Sequence, residues 1–287
     1  MNVLMTGSSG FVGKHLRRIL SQKHYIRSFS LLEGSLDSLE LNGINAVVHL
    51  AALVHQMKGA TWEEYYRVNV LYPLELARKA KESGVNRFVF LSSVKVYGEH
   101  SEAPFTEESL CHPEDDYGRS KLLAEMELRK LQDESFSIRI IRVPLVYGAG
   151  VKGNMIQLLK LVDRWSILPF GCINNRRSMV YIENLCGWIE RVLESDEEGI
   201  FLVADPQPLS TSELVEHMAT SLDKRCYNLC IPMMKPILKC LKPKIYKRLF
   251  CNMEIDIRES RKRLNYQVPF NAEDGILNMV EWYQKND

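Results

Sequence analysis

The chain has 287 residues, a formal charge of +1, 46% apolar and 25% charged side chains. That length suits one large domain or a domain with an appendage, and it buries a core without staples. The near-neutral balance argues against the basic field of a nucleic-acid binder, and no apolar run nears the roughly 20 residues that span a bilayer. Seven cysteines in no C-x-x-C spacing are expected as reduced thiols, with no metal site. Met1 leads straight into a strand pattern, so no signal peptide is expected and the location is read as cytoplasmic.

In chain order, NVLMTG (2–7) is an apolar run ending in Thr-Gly, a strand with a turn at its end. FVGKHLRRILSQ (11–22) repeats apolar residues at helical spacing, which predicts a helix with Phe11, His15 and Ile19 on one face. YIRSFS (25–30) reads as a second strand and AVVHLAA (46–52) as a fully buried one. A helix over 62–83, a strand RFVFLSS (87–93), a helix over 117–134 and a strand opening SIRIIRVPLVYG (137–148) follow. Repeated strand–helix–strand units predict an α/β fold of Rossmann type, a doubly wound parallel sheet with helices on both faces.

After Gly148 the pattern breaks into short helices, Pro-punctuated loops and short strands such as SMVYI and IFLVA. Residues 1–148 are therefore read as a dinucleotide-binding domain. Residues 149–287 are read mainly as a smaller substrate-binding lobe, some of whose segments return to the sheet. Within it, residues 228–250 are basic and apolar. Their prolines interrupt a membrane-surface helix, so a packed lobe helix with a solvated basic side is expected, and no membrane partner.

Gly7-Ser8-Ser9-Gly10-Phe11-Val12-Gly13 follows a strand and opens a helix, the context a pyrophosphate loop needs. Gly7 permits the tight turn, Gly10 lets backbone approach phosphate, and Gly13 allows close helix–sheet packing. Tyr117 and Lys121, four apart on a helix, project from one face. An ammonium beside a phenol is expected to lower the phenol from about 10 toward neutrality. Tyr117 can then exchange a proton with a substrate hydroxyl while hydride moves at the attached carbon. An isolated Y-x-x-x-K occurs often by chance. Here LSSVKVYG (91–98) adds Ser92 and Ser93 at the carboxyl end of a strand, where doubly wound sheets bind ligands. Ser93 is placed against the phenol and Ser92 toward the cofactor.

With His49-Leu50-Ala51-Ala52 and Asn69, the sequence resembles an extended short-chain dehydrogenase/reductase of the NAD-dependent epimerase/dehydratase family over nearly its whole length. TGSSGFVG, VVHLAA, the Asn of RVNV, LSSVKVYG, YGRSK and RVPLVYG carry the likeness. It implies an NAD(P)-dependent enzyme on a nucleotide sugar, with Ser93, Tyr117 and Lys121 catalytic. Gly7, Ser9, Gly10, Phe11, Val12, Leu50, Ala51, Ala52, Asn69, Ser92 and Pro144 would surround the cofactor, with Tyr117 and Lys121 at its nicotinamide ribose. The resemblance also implies Asn154, Phe170 and Arg177 as contacts to a UDP-linked sugar, Phe170 over the uracil and Arg177 at the diphosphate. His55 is a candidate for the sugar pocket. A homodimer through helices 62–83 and 117–134 is likewise implied, with 4-ketosugar reductases and UDP-glucose 4-epimerases as the branch.

The adenosine end departs from that pattern. Ser30 stands where a ribose-gripping acid is expected, Ser35 where an Asp usually meets adenine, and Glu33 follows too soon; Ser30, Ser35 and Leu36 are still the candidates for the cofactor's adenosine end. Losing two charged hydrogen-bonding groups weakens retention by about 2–4 kcal/mol, at roughly 1–3 each. An epimerase keeps its NAD through a cycle, whereas a reductase releases NAD(P) every turnover. The thinner grip, and Leu145 where many 4-epimerases carry an Asn, tilt the reading toward a 4-ketosugar reductase that tolerates NADP. A non-catalytic NAD(P)-binding sensor is a distant alternative.

Overall fold

The computed structural model describes residues 1–30, 34–54 and 59–286. His55 and Glu33 therefore lie outside the described residues. The first half alternates as its pattern demands: β1 (Asn2–Thr6), α1 (Phe11–Leu20), β2 (Tyr25–Phe29), β3 (Ala46–His49), α2 (Trp62–Tyr66) and α3 (Tyr72–Glu82). Then come β4 (Arg87–Ser93), α4 (Asp116–Arg129), β5 (Ser137–Val143) and β6 (Leu145–Tyr147). The second half holds α5 (Asn154–Arg164), β7 (Ile167–Leu168), β8 (Met179–Tyr181), α6 (Ile182–Glu194), β9 (Gly199–Leu202) and α7 (Thr211–Ser221). It closes with β10 (Tyr227–Asn228), α8 (Met234–Leu241), α9 (Pro243–Phe250), α10 (Arg258–Arg263) and α11 (Ala272–Asn286).

Six parallel strands lie in the order β2-β1-β3-β4-β5-β9, so β9 joins the sheet from the second half of the chain. Alternate residues of each strand feed opposite faces. Met5, Val48, Val89 and Ile141 enter the larger core with α6, while Leu4, Val47, Phe88 and Ile140 enter a second core under α3 and α4. Because all strands run the same way, the ends of β1, β3, β4 and β5 meet along one edge. Chain order reverses between β1 and β3, which is where such sheets open a crevice.

On α1, Phe11, His15 and Ile19 are all half-buried, beside the buried Gly13, Leu16 and Leu20. Two local expectations change. Cys172 and Cys230 are disulfide-bonded rather than both reduced. Pairing of β7 with β10 brings together two cysteines 58 residues apart, which spacing alone does not reveal. Residues 228–250 form two short helices rather than one packed helix, and no residue of α8 is buried.

Candidate active site

The glycine loop is built by close approach. Gly7 has φ +71, and a Cβ there would lie 2.7 Å from the backbone N of Ala51. At Gly13 a Cβ would meet the Gly7 carbonyl oxygen at 2.2 Å. Gly10 closes the turn with its N–H on the Gly7 carbonyl (3.1 Å) and caps α1 without a side chain. No acid stands in the first turn of α1, so its opening N–H groups and dipole face the loop without a competing carboxylate. The loop, Phe11, Val12 and the Leu50–Ala52 backbone thus form a cradle that any side chain would fill, and it fits a dinucleotide diphosphate.

Asp115 caps α4 by accepting from the Gly118 N–H at 2.7 Å, which fixes the register of Tyr117 and Lys121. Ser93, the last residue of β4, lies close enough to the Tyr117 phenol to favour its charged form. Burial pushes that phenol up to about 12, against the lowering by Ser93 and with help from the charge of Asp115. The expected depression by Lys121 is therefore corrected. Lys121 is itself buried, donates to the Leu91 carbonyl at 2.8 Å and lies 4.5 Å from the Phe90 ring centroid. Desolvation brings its ammonium down to about 7, opposed by Glu125. In this arrangement Tyr117 holds its proton at neutral pH.

Two residues expected at the cofactor are committed elsewhere. The Ser92 hydroxyl is buried and donates to the Glu125 carboxylate. Asn69 sits on a π-helical turn, Arg67–Leu71, between α2 and α3. Its carboxamide accepts from the Leu53 N–H (2.8 Å) and donates to the Leu53 carbonyl and to Ser120 (3.0 Å each). Asn69 thereby ties the segment after β3 to α4 beside Lys121. A π-turn re-aims a side chain that regular helical spacing would place elsewhere.

Sequence reasoning missed the support beneath these groups. Glu125, one turn beyond Lys121, pairs with Arg142 at 2.6 Å, with side chains 2% and 4% exposed. Arg142 also donates to the Tyr97 phenol at 2.6 Å, and that phenol donates to the Thr106 carbonyl at 2.8 Å. The signal available was the i, i+4 spacing from Lys121 and the register that sets Ser92 beside Arg142. His49 shares a hydrogen bond with Thr6 at 2.9 Å and is held neutral, down to about 3, by burial and by Lys121.

At the adenosine end, no strand or helix separates β2 from β3 among the described residues. The Ser30 carbonyl accepts from Gly34, and Ser35 is exposed and bonded to the carboxylate of Asp37 (3.2 Å), an acid the reading passed over. Leu36 packs on the second core, and its carbonyl accepts from Lys79 at 2.5 Å. Arg27 donates to the Glu40 carbonyl at 2.7 Å.

In the second half, Asn154 is exposed at the first turn of α5. Phe170, expected over the uracil, follows β7 closely and packs in the larger core, 8% exposed. Arg177 is half-buried, donates to the Cys251 carbonyl at 3.3 Å and feels the charge of Glu99. Its neighbour Arg176 turns outward onto Glu254 at 2.8 Å. Pro144 joins β5 to β6, and Leu145 is 51% exposed. His24 comes close to Glu190 and Glu194 of α6, near enough to share a metal ion, but Lys23 already supplies a cation at 3.0 Å from Glu190.

A glycine cradle at the reversal point of a parallel sheet, with Ser93, Tyr117 and Lys121 at the neighbouring strand ends, defines a dinucleotide-dependent enzyme of the extended short-chain dehydrogenase/reductase type. Residues 3–204 match the profile of the NAD dependent epimerase/dehydratase family, and the chain belongs to that family. It is 36% identical to a UDP-glucose 4-epimerase of Vibrio cholerae across 96% of this chain and 93% of that protein. It is 29% identical to a dTDP-4-dehydro-6-deoxyglucose reductase of Escherichia coli across 78% and 82%. A solved UDP-glucuronic acid 4-epimerase from Bacillus cereus, in complex with NAD, shares the fold at TM-score 0.81 with 19% identity, covering 99% of both chains.

Proposed function

We propose that the protein reduces the C4 ketone of a UDP-linked 4-keto sugar, an N-acetylated 6-deoxy hexose, using NADH or NADPH. The observation that carries this is Ser93, at the end of β4, acting on the Tyr117 phenol at the carboxyl edge beside the glycine cradle. A reduced nicotinamide, when bound, supplies the hydride. Tyr117 gives its proton to the C4 oxygen, Ser93 holds that oxygen against the phenol, and Lys121 lies behind them to stabilise the phenolate and bind the ribose. The loop from Gly7 to Val12 binds diphosphate, and Arg177 is the cation for the sugar nucleotide.

The thin adenosine end and the exposed Leu145 lean this reading toward reduction, with the cofactor released at each turnover. The second reading is a UDP-sugar 4-epimerase with retained NAD, favoured by the likeness to the Vibrio cholerae protein along nearly its full length. Incubation with NAD(P)H and a UDP-4-keto-6-deoxy-N-acetylhexose should deplete the nicotinamide absorbance. Interconversion of UDP-glucose and UDP-galactose without added cofactor, and no depletion, would establish the epimerase.

A further inference from the structure

From Lys224 to Met253 the chain carries eight Lys and Arg and no Asp or Glu, in a protein of net charge +1. The same stretch concentrates exposed apolar surface. Among the described residues, half of the large apolar side chains left exposed are Trp165, Ile167 and seven more between Tyr227 and Ile245. The register of β7 with β10 sets exposed Ile167 beside exposed Tyr227. The chain then runs through Ile231 and Met233 into α8.

On α8 the half-buried Met234 and Leu238 turn toward the lobe. Ile237 and Leu241, also one turn apart, are 48% and 70% exposed, with Lys235, Lys239 and Lys242 around them. Pro243 restarts the helix as α9. Lys247 engages Glu114, and Leu249 and Phe250 pack on the core, so α9 anchors the pair. The Cys172–Cys230 disulfide fixes the other end of the segment. An exposed apolar stripe edged by cations of one sign is the build of an interfacial helix. Protein–protein interface cores are instead depleted in lysine.

We propose that α8 and its flanking ribbon form a docking surface for an anionic phospholipid bilayer, on which the protein rests reversibly without spanning it. The prolines that rule out one long helix leave a short one, held rigidly with its apolar stripe outward. Cys251, directly after α9, meets Arg177, so docking brings that end of the lobe close to the lipid surface.

The test is co-sedimentation of the full-length protein with vesicles of phosphatidylcholine containing 30% phosphatidylglycerol, beside pure phosphatidylcholine. The protein should pellet with the anionic vesicles, not with the neutral ones, and 0.5 M NaCl should release most of it. Neutralising Lys235, Lys239 and Lys242 to Gln should cut partitioning roughly a hundredfold, at about fivefold per cation. Leu241→Ser should cut it about tenfold. Both variants change exposed side chains, and circular dichroism and thermal melting check that they fold. No binding to anionic vesicles overturns the proposal, as does equal binding to neutral vesicles or unchanged binding by the triple variant. Light scattering that shows a dimer broken by Leu241→Ser, without vesicle binding, assigns the surface to a second copy instead. The readout needs no turnover, so it stands apart from the reductase assay.

Discussion

Replacing Glu125 with Leu should unfold the site from beneath. Arg142 makes three hydrogen bonds to that carboxylate, two from Nε at 3.2 Å and one from Nη2 at 2.6 Å, and it also donates to the Tyr97 phenol at 2.6 Å. With both side chains almost fully buried, removing one partner strands a charge, at a cost of about 3–5 kcal/mol. In a chain this size that lowers the melting temperature by on the order of 10 °C. Taking both charges away, as Glu125→Leu with Arg142→Met, exchanges the pair for apolar volume and should recover most of the loss. Urea unfolding of the wild type, both single variants and the double variant gives the coupling directly. The reasoning fails if Glu125→Leu costs under about 1 kcal/mol, or if the double variant is no more stable than the single.

Gly13→Ala drives a methyl into the Gly7 carbonyl and should abolish dinucleotide binding in calorimetry while leaving a folded, less stable protein. Tyr117→Phe should lower kcat by about a hundred- to ten-thousandfold with cofactor affinity nearly unchanged, as steady-state kinetics and cofactor titration will show. The depressed ammonium of Lys121 sets a pH signature. Its folded value, about 7, lies below the ordinary 10.5, so from pH 7 upward the unfolded chain binds more protons and folding stability rises with pH. Below pH 7 the full penalty applies. Lys121→Met removes that slope, so its stability advantage over the wild type should shrink by about 2–3 kcal/mol between pH 7 and 9. A constant gap in urea unfolding would count against the buried ammonium.

The parallel sheet and the Ser93–Tyr117 meeting follow from local pattern: period-2 and period-3.6 repeats, a glycine turn and strand ends that parallel packing brings to one edge. What sequence spacing did not contain is where a polar side chain turns once neighbours compete for it. Ser92 faces Glu125 because β4 and β5 are in register and α4 lies over them. Asn69 faces Leu53 because a π-turn inserts one extra residue into its helix. The spacing of Tyr117 and Lys121 along a helix predicts a lowered phenol. Desolvation, a tertiary property, reverses the sign for the half-buried phenol as it lowers the buried ammonium. The segment 228–250 shows the limit in another way, since its periodicity predicts an apolar face but not whether anything in the chain covers it.

The central claim is that Tyr117 delivers a proton to the oxygen of the same carbon that accepts hydride. Reduction of a UDP-4-keto sugar with NAD(P)H deuterated at the transferring position tests it by mass spectrometry and NMR of the product. The account predicts one deuterium at C4 of the sugar with wild-type protein and almost none with Tyr117→Phe under matched cofactor saturation. Label at another carbon, or equal labelling by the Tyr117→Phe variant, would contradict it.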